Sequence, residues 1–170
     1  MRPVRLGDEV GIQANCKTGA TLEQVREQVQ WTAAEHRSRW LAHFVAEYEG
    51  AVVGTVMLFP AGAHPVRGPG GLTLCPGPQG GQPLVGRLDD YVVASPLWRR
   101  GIGTRLTERL VEQAHRWGLV RLETSSANPA AIAAFERQGF HQHGSLPLPA
   151  GTPAQWHGGG VEAFFHMDLV

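Results

Sequence analysis

The sequence predicts a mixed α/β domain in which helices cover the faces of one central sheet. Three observations carry that expectation. Residues 87–139 read as strand, helix, strand, helix; residues 41–59 read as a β-hairpin; and strand-like runs stand near both ends. At 170 residues the chain suits a single domain spanning 1–170, long enough to close one core.

Each element has a local reason. Residues 1–5 suit a short strand, and helical material follows to about residue 38. Within it, Thr21 and Gln24 have the spacing of a capping box, and Leu22, Val25, Val29 and Ala33 recur at helical intervals. Leu41–Tyr48 and Ala51–Phe59 are strand-like and separated by Glu49-Gly50, a tight-turn pair. Residues 60–86 carry much of the chain's glycine and proline and read as a long irregular insertion, either functional or without a role. Arg87–Ala94 then reads as a strand and Gly101–Trp117 as a helix with Ile102, Leu106, Leu110, Ala114 and Trp117 on one face. Gly118 stops it, and Leu119–Thr124 is the next strand. Asn128 and Pro129 have the favoured order for opening a second helix, which Gly139 ends. A strand near Phe140 and another at Val161–Leu169 complete the chain.

Composition excludes several classes. With 42% hydrophobic and 18% charged residues the chain is too apolar for disorder, and a formal net charge of zero draws it to neither nucleic acid nor membrane. Arginine supplies nearly all the positive charge, since Lys17 is the only lysine. Cys16 and Cys75 form no disulfide framework or metal-type spacing, and the eight histidines include no HExxH pair, so no metal is expected. His43 is a remote candidate base. No run approaches the roughly 20 apolar residues of a membrane helix, and the N-terminus has no apolar leader, which implies a cytoplasmic protein.

The segment 87–106 carries the chemistry. A strand runs into Arg99-Arg100-Gly101-Ile102-Gly103-Thr104 and directly into a helix. The unpaired amides and positive dipole end of a helix N-terminus attract anions, and two glycines let phosphate oxygens approach the backbone. Arg99 and Arg100 add charge, so the site suits a pyrophosphate. A dinucleotide fingerprint needs a third glycine where Leu106 stands, and the Gly-Lys-Ser/Thr ending of a P-loop is absent.

The run Val93-Ala94-Ser95-Pro96-Leu97-Trp98-Arg99-Arg100-Gly101-Ile102-Gly103 resembles the acetyl-CoA motif of the GNAT superfamily of N-acetyltransferases. Downstream, Asn128-Pro129-Ala130-Ala131-Ile132-Ala133-Ala134-Phe135-Glu136-Arg137-Gln138-Gly139-Phe140 resembles that family's second motif. The resemblance spans about residues 87–140 and implies the acyl-CoA N-acyltransferase fold, a mixed, mostly antiparallel sheet with helices on both faces. It implies acetyl-CoA as co-substrate, a small-molecule or peptide amine as acceptor, direct attack in a ternary complex, and a possible homodimer. It assigns the pyrophosphate to Arg99, Arg100, Gly101, Ile102, Gly103 and Thr104, carbonyl polarisation to the amides near Val92 and Val93, and pantetheine contact to Asn128.

Two positions depart from the pattern. Trp98 occupies the usual Arg or Gln position, leaving Arg99 by a one-residue slip, or Arg100 with the amides, to hold phosphate. Phe135, at the cofactor by the resemblance, replaces a Tyr that protonates the departing thiolate in many relatives. Asp89 and Asp90 are the candidate bases, on opposite faces of the strand because side chains alternate, so that only one can face the substrate, or else edge carboxylates paired with Arg87 or Arg121. Tyr91 is either a replacement acid or a core side chain. The competing reading, favoured by Phe135 and Trp98, is a weak or inactive acetyl-CoA-binding sensor or docking module.

Overall fold

The computed structural model describes residues 1–35, 41–60, 64–68, 71–75, 85–148 and 161–169. Its elements are β1 (Arg2–Pro3), α1 (Glu9–Asn15), α2 (Leu22–Glu35), β2 (Ala42–Tyr48), β3 (Ala51–Pro60), β4 (His64–Gly68), β5 (Gly71–Cys75), β6 (Val85–Val93), α3 (Ile102–Arg116), β7 (Arg121–Ser126), α4 (Pro129–Arg137), β8 (His141–Pro147) and β9 (Val161–Asp168). Seven strands form one sheet in the order β1-β2-β3-β6-β7-β9-β8. Every pairing in it is antiparallel except β6 with β7.

Local signals set most boundaries. Thr21 and Gln24 form the reciprocal capping box: the Thr21 amide donates to Gln24 Oε1 at 2.8 Å and the Gln24 amide to Thr21 Oγ1 at 3.2 Å. Glu49 and Gly50 both have positive φ (51° and 79°), the signature of a two-residue type I′ turn, and they join β2 to β3. Asn128 caps α4 by accepting from the Ala130 amide at 2.9 Å, with Pro129 in the first turn. The region from 60 to 86 departs from the expected irregular loop. It holds β4 and β5 as an antiparallel pair, and β6 already begins at Val85. Residues 76–84 lie outside the described residues.

Alternation along the strands assigns the two helical layers. Phe44, Val56, Leu58, Leu88 and Leu122 pack with Leu106, Leu110 and Ala114 of α3, all nearly inaccessible. Fully burying a leucine contributes about 1.5–3 kcal/mol, so this layer is the main source of cohesion. On the opposite face Val45 and Val52 pack with Ile12, Val25 and Val29 of α1 and α2. No helix among the described residues is long and apolar enough to cross a membrane.

Candidate active site

The parallel pair β6–β7 is in register only at Val85–Arg121, Gly86–Leu122 and Arg87–Glu123. From Leu88 to Val93 the edge of β6 turned away from β3 has no strand partner among the described residues. A cavity of about 930 Å³ opens at this split, bounded by the end of β6, the start of α3 and one side of α4. Of the ten positions expected at the cofactor, eight line it: Val92 and Val93 on β6, Arg99 and Gly101 in the loop, Ile102, Gly103 and Thr104 on the first turn of α3, and Asn128 at the start of α4. Arg137 and Gln138 line it too. Sequence reading passed over both, because they follow α4's apolar positions with no motif residue of their own.

The loop into α3 explains the glycine pattern. Gly101, the N-cap residue, sits at φ 76° and offers no side-chain cap, and the first turn contains no acidic residue. The amides of the first turn of α3 therefore remain available, aimed at the cavity with the positive end of the helix. Trp98, about half exposed, donates from Nε1 to the Val93 carbonyl at 2.7 Å and ties the loop to the end of β6. Arg99 takes a positive φ of 63° and lines the cavity. Arg100 does not: its Nη1 donates to the Tyr48 hydroxyl at 3.2 Å and its guanidinium lies 5.8 Å from the Tyr48 ring centroid. Phe135 also stands behind the lining. It is buried in the core beside the rings of Tyr91, Phe140 and Phe165, at centroid distances of 5.2, 5.5 and 5.8 Å.

The three catalytic candidates are placed by a bulge. Opposite β3, Thr55 pairs with Val92 and Met57 with Asp89, so β6 gains one residue, and Asp90 adopts φ 54°. Regular alternation would put Asp89 and Asp90 on opposite faces, and the bulge corrects that expectation. Asp89 opposes Met57, whose Sδ lies 3.5 Å from Gln28 Nε2 of α2, and Asp90 itself bonds to Gln28, so both carboxylates lie on the α2 face. Asp89 is exposed. Asp90 pairs with Lys17, Nζ to Oδ1 at 2.8 Å. Neither carboxylate takes Arg87 or Arg121 as partner: Arg87 donates to Ser125, and Arg121 pairs with Asp168.

Tyr91 points to the opposite, α3 face. Its hydroxyl accepts from Gln138 Nε2 at 2.7 Å. Burial pushes this phenol up, and the bonds from Gln138 and Thr107 with the charge of Arg137 only partly offset it, so it remains protonated at neutral pH. His43 is buried between Thr32 and Thr55, its two ring nitrogens 2.8 and 2.6 Å from their hydroxyls, so it is not a base facing the cleft. Glu123, which sequence reading did not single out, lies on the α2 face where the β6–β7 pairing ends. It is half-buried between the registers of Arg87 and His166, and its carboxylate makes no hydrogen bond or ion pair among the described residues.

The Acetyltransferase (GNAT) family model matches residues 13–140. The chain belongs to this family. A search of curated proteins finds no match. Among solved structures, the ribosomal-protein-alanine N-acetyltransferase from Brucella melitensis is similar at 24% identity and TM-score 0.69, covering 99% of this chain and 98% of that one. An N-acetyltransferase from Staphylococcus aureus Mu50 superposes at TM-score 0.70 with 18% identity, covering 99% and 97%. The protein yncA from Salmonella typhimurium, solved with acetyl-CoA, gives TM-score 0.62 at 17% identity over 91% and 77% of the two chains. These likenesses establish the GNAT fold. Within it, the first motif forms the junction of β6 and α3, and the second forms α4 with its cap.

Proposed function

We propose that this GNAT protein is an N-acetyltransferase that transfers the acetyl group of acetyl-CoA to a primary amine of a small molecule or peptide. One observation carries the reading: the uncapped N-terminus of α3 opens onto the cavity at the split between β6 and β7, with Arg99 on its rim. That end suits a pyrophosphate, and the long, partly apolar cleft suits a pantetheine arm. Bound acetyl-CoA would supply an activated thioester. The first-turn amides of α3 and Arg99 would hold its phosphates, and Asn128 would border its pantetheine.

The amine would come from the α2 face, where Asp89 and Glu123 stand. An alkyl ammonium is protonated at neutral pH, so it must lose a proton before it attacks the carbonyl. Glu123, half-buried and with no side-chain partner among the described residues, suits this base role directly or through water, with Asp89 as the exposed alternative. Backbone amides near Val92 would stabilise the developing oxyanion. Tyr91 borders the cavity and is held protonated with its hydroxyl bonded by Gln138, which suits the acid that would protonate the departing thiolate in place of the tyrosine that Phe135 replaces.

The test has two stages. Calorimetric titration with acetyl-CoA is expected to give micromolar binding, and thiol release is then followed with an alanyl peptide, spermidine and kanamycin as acceptors. Turnover with any of the three supports the enzyme; binding without turnover supports the sensor reading; no binding to folded protein removes both.

A further inference from the structure

We propose that Lys17, Asp90 and Gln28 form a clamp that sets the backbone of β6 at the mouth of the split sheet, with Lys17 and Asp90 as positioning residues for acyl transfer. The kinetic consequence rests on the acetyltransferase reading; the structural consequence does not.

Asp90 is the extra residue of the β6 bulge and sits in the left-handed region at φ 54°. In mid-strand, a non-glycine residue holds that conformation only when its surroundings impose it. Here they do so with a closed ring. Lys17 Nζ donates to Asp90 Oδ1 at 2.8 Å and to Gln28 Oε1 at 2.6 Å, and Gln28 Nε2 donates to Asp90 Oδ2 at 3.2 Å. The Asp90 amide is held as well, donating to Asp89 Oδ1 at 2.8 Å. The side chains of Asp90 and Lys17 are only 11% and 21% exposed, so water screens the pair weakly. Lys17 is itself fixed, its amide donating to the Ile12 carbonyl of α1 at 2.8 Å and its carbonyl accepting from Ala20 at 2.9 Å.

The clamp therefore joins the α1–α2 layer to β6, the strand whose end borders the cavity. Its position matters because side chains alternate every residue. With the bulge, Tyr91 faces α3, Val92 opposes Thr55 and Val93 opposes Gly54. A regular strand at Asp90 would reverse the faces of all three and redirect their amides. The ring also occupies both oxygens of Asp90, which leaves the base role to Asp89 or Glu123.

The experiment combines amide hydrogen exchange across residues 85–94, without cofactor, with kcat and KM for the fastest of the three acceptors named above. The variants are K17M, D90N, the double mutant and K17R. The clamp predicts that K17M and D90N each speed exchange at Tyr91 and Val92 about tenfold or more, while α3 is unchanged. It predicts a fall in kcat of about tenfold or more at nearly constant KM for acetyl-CoA, rescue by K17R, and a double mutant no worse than either single one. If K17M does not fold, Gln28→Ala opens the same ring from its other corner. Unchanged exchange in K17M overturns the proposal. So does a D90N enzyme that loses the acidic limb of its pH–rate profile while K17M keeps full rate, because Asp90 would then be the base. Absence of turnover in the wild type would sink the acetyltransferase reading alone, since the exchange measurement still decides the clamp.

Discussion

A β-carbon at Gly103 would collide with the Tyr91 hydroxyl, so this motif glycine is required by a neighbouring side chain as well as by any ligand. Gly103→Ala is expected to displace that hydroxyl, break its bond from Gln138, and destabilise the fold by about 1–3 kcal/mol in urea unfolding. Adding Tyr91→Phe removes the obstructing oxygen and is expected to recover part of the loss; a double mutant as unstable as the single one would show that the collision is not the cause. Glu123→Gln keeps shape and removes the carboxylate, so kcat should fall about a hundredfold with acetyl-CoA affinity preserved. An unchanged kcat would leave Asp89 as the base. At this scale the sequence was legible where a residue is needed for its own backbone, as at Gly101, and less so where its role depends on a partner. Two adjacent aspartates give no sign of which is bound by a lysine more than seventy positions away, and only the tolerance of aspartate for left-handed φ hints at the bulge. Glu123 lay in a strand pattern whose alternation is equally that of a solvated edge.

The helices and the first hairpin were readable because their signals are local. The capping box of α2, the Asn128 cap of α4, the glycines after α3 and α4 and the Glu49-Gly50 turn each act within about four residues. The pair β4–β5 was not readable, because its strands carry the glycine and proline that mark loops and find support in each other's backbone. The loop into α3 shows the same division: sequence places two arginines at an anion site, and only the fold separates them. Arg99 lines the cavity, whereas Arg100 is engaged with Tyr48 at the end of β2. A hydrogen bond to a charged group contributes about 1.5–3 kcal/mol, so Arg99→Ala should weaken acetyl-CoA binding about tenfold or more. Arg100→Ala should change it by no more than about twofold, the scale of an exposed charge. Calorimetry on the two single mutants checks this, and equal losses would mean that Arg100 leaves Tyr48 to reach the phosphates.

Across the described residues, charged side chains tie the α1–α2 layer to the sheet at the clamp on Asp90 and at a cluster near the N-terminus, beside the neutral bonds of Thr32 to His43 and of Asn15 to the Val52 carbonyl. In that cluster Arg2 bonds to both oxygens of Asp8 at 2.8 and 2.7 Å and to Glu47 at 2.7 Å, joining β1, the start of α1 and β2. The Asp8 oxygens also accept from the Arg5 amide at 2.8 Å. Burial alone would push the Asp8 carboxyl up; the bonds from Arg2 and Arg5 together outweigh it and hold the group below the usual carboxylate range. The sign of the pH effect follows. A carboxyl lowered on folding contributes stability that is fully present above its unfolded value, about 3.9, and is lost as pH falls through the folded one. Asp8 is almost inaccessible, so Asp8→Asn removes the buried charge that Arg2 bonds twice, leaves Arg2 with Glu47 as its carboxylate partner, and should cost about 3 kcal/mol at pH 7. The difference in urea midpoint between wild type and this variant should therefore be constant from pH 7 to 5 and shrink below about pH 4, as the unfolded wild-type chain takes up a proton that the folded one resists. A difference that persists undiminished at pH 2 would assign the loss to packing and hydrogen bonding that do not depend on charge. One that vanishes would make the Arg2–Asp8 pair the electrostatic hinge by which acid releases the α1–α2 layer, and with it the clamp on β6.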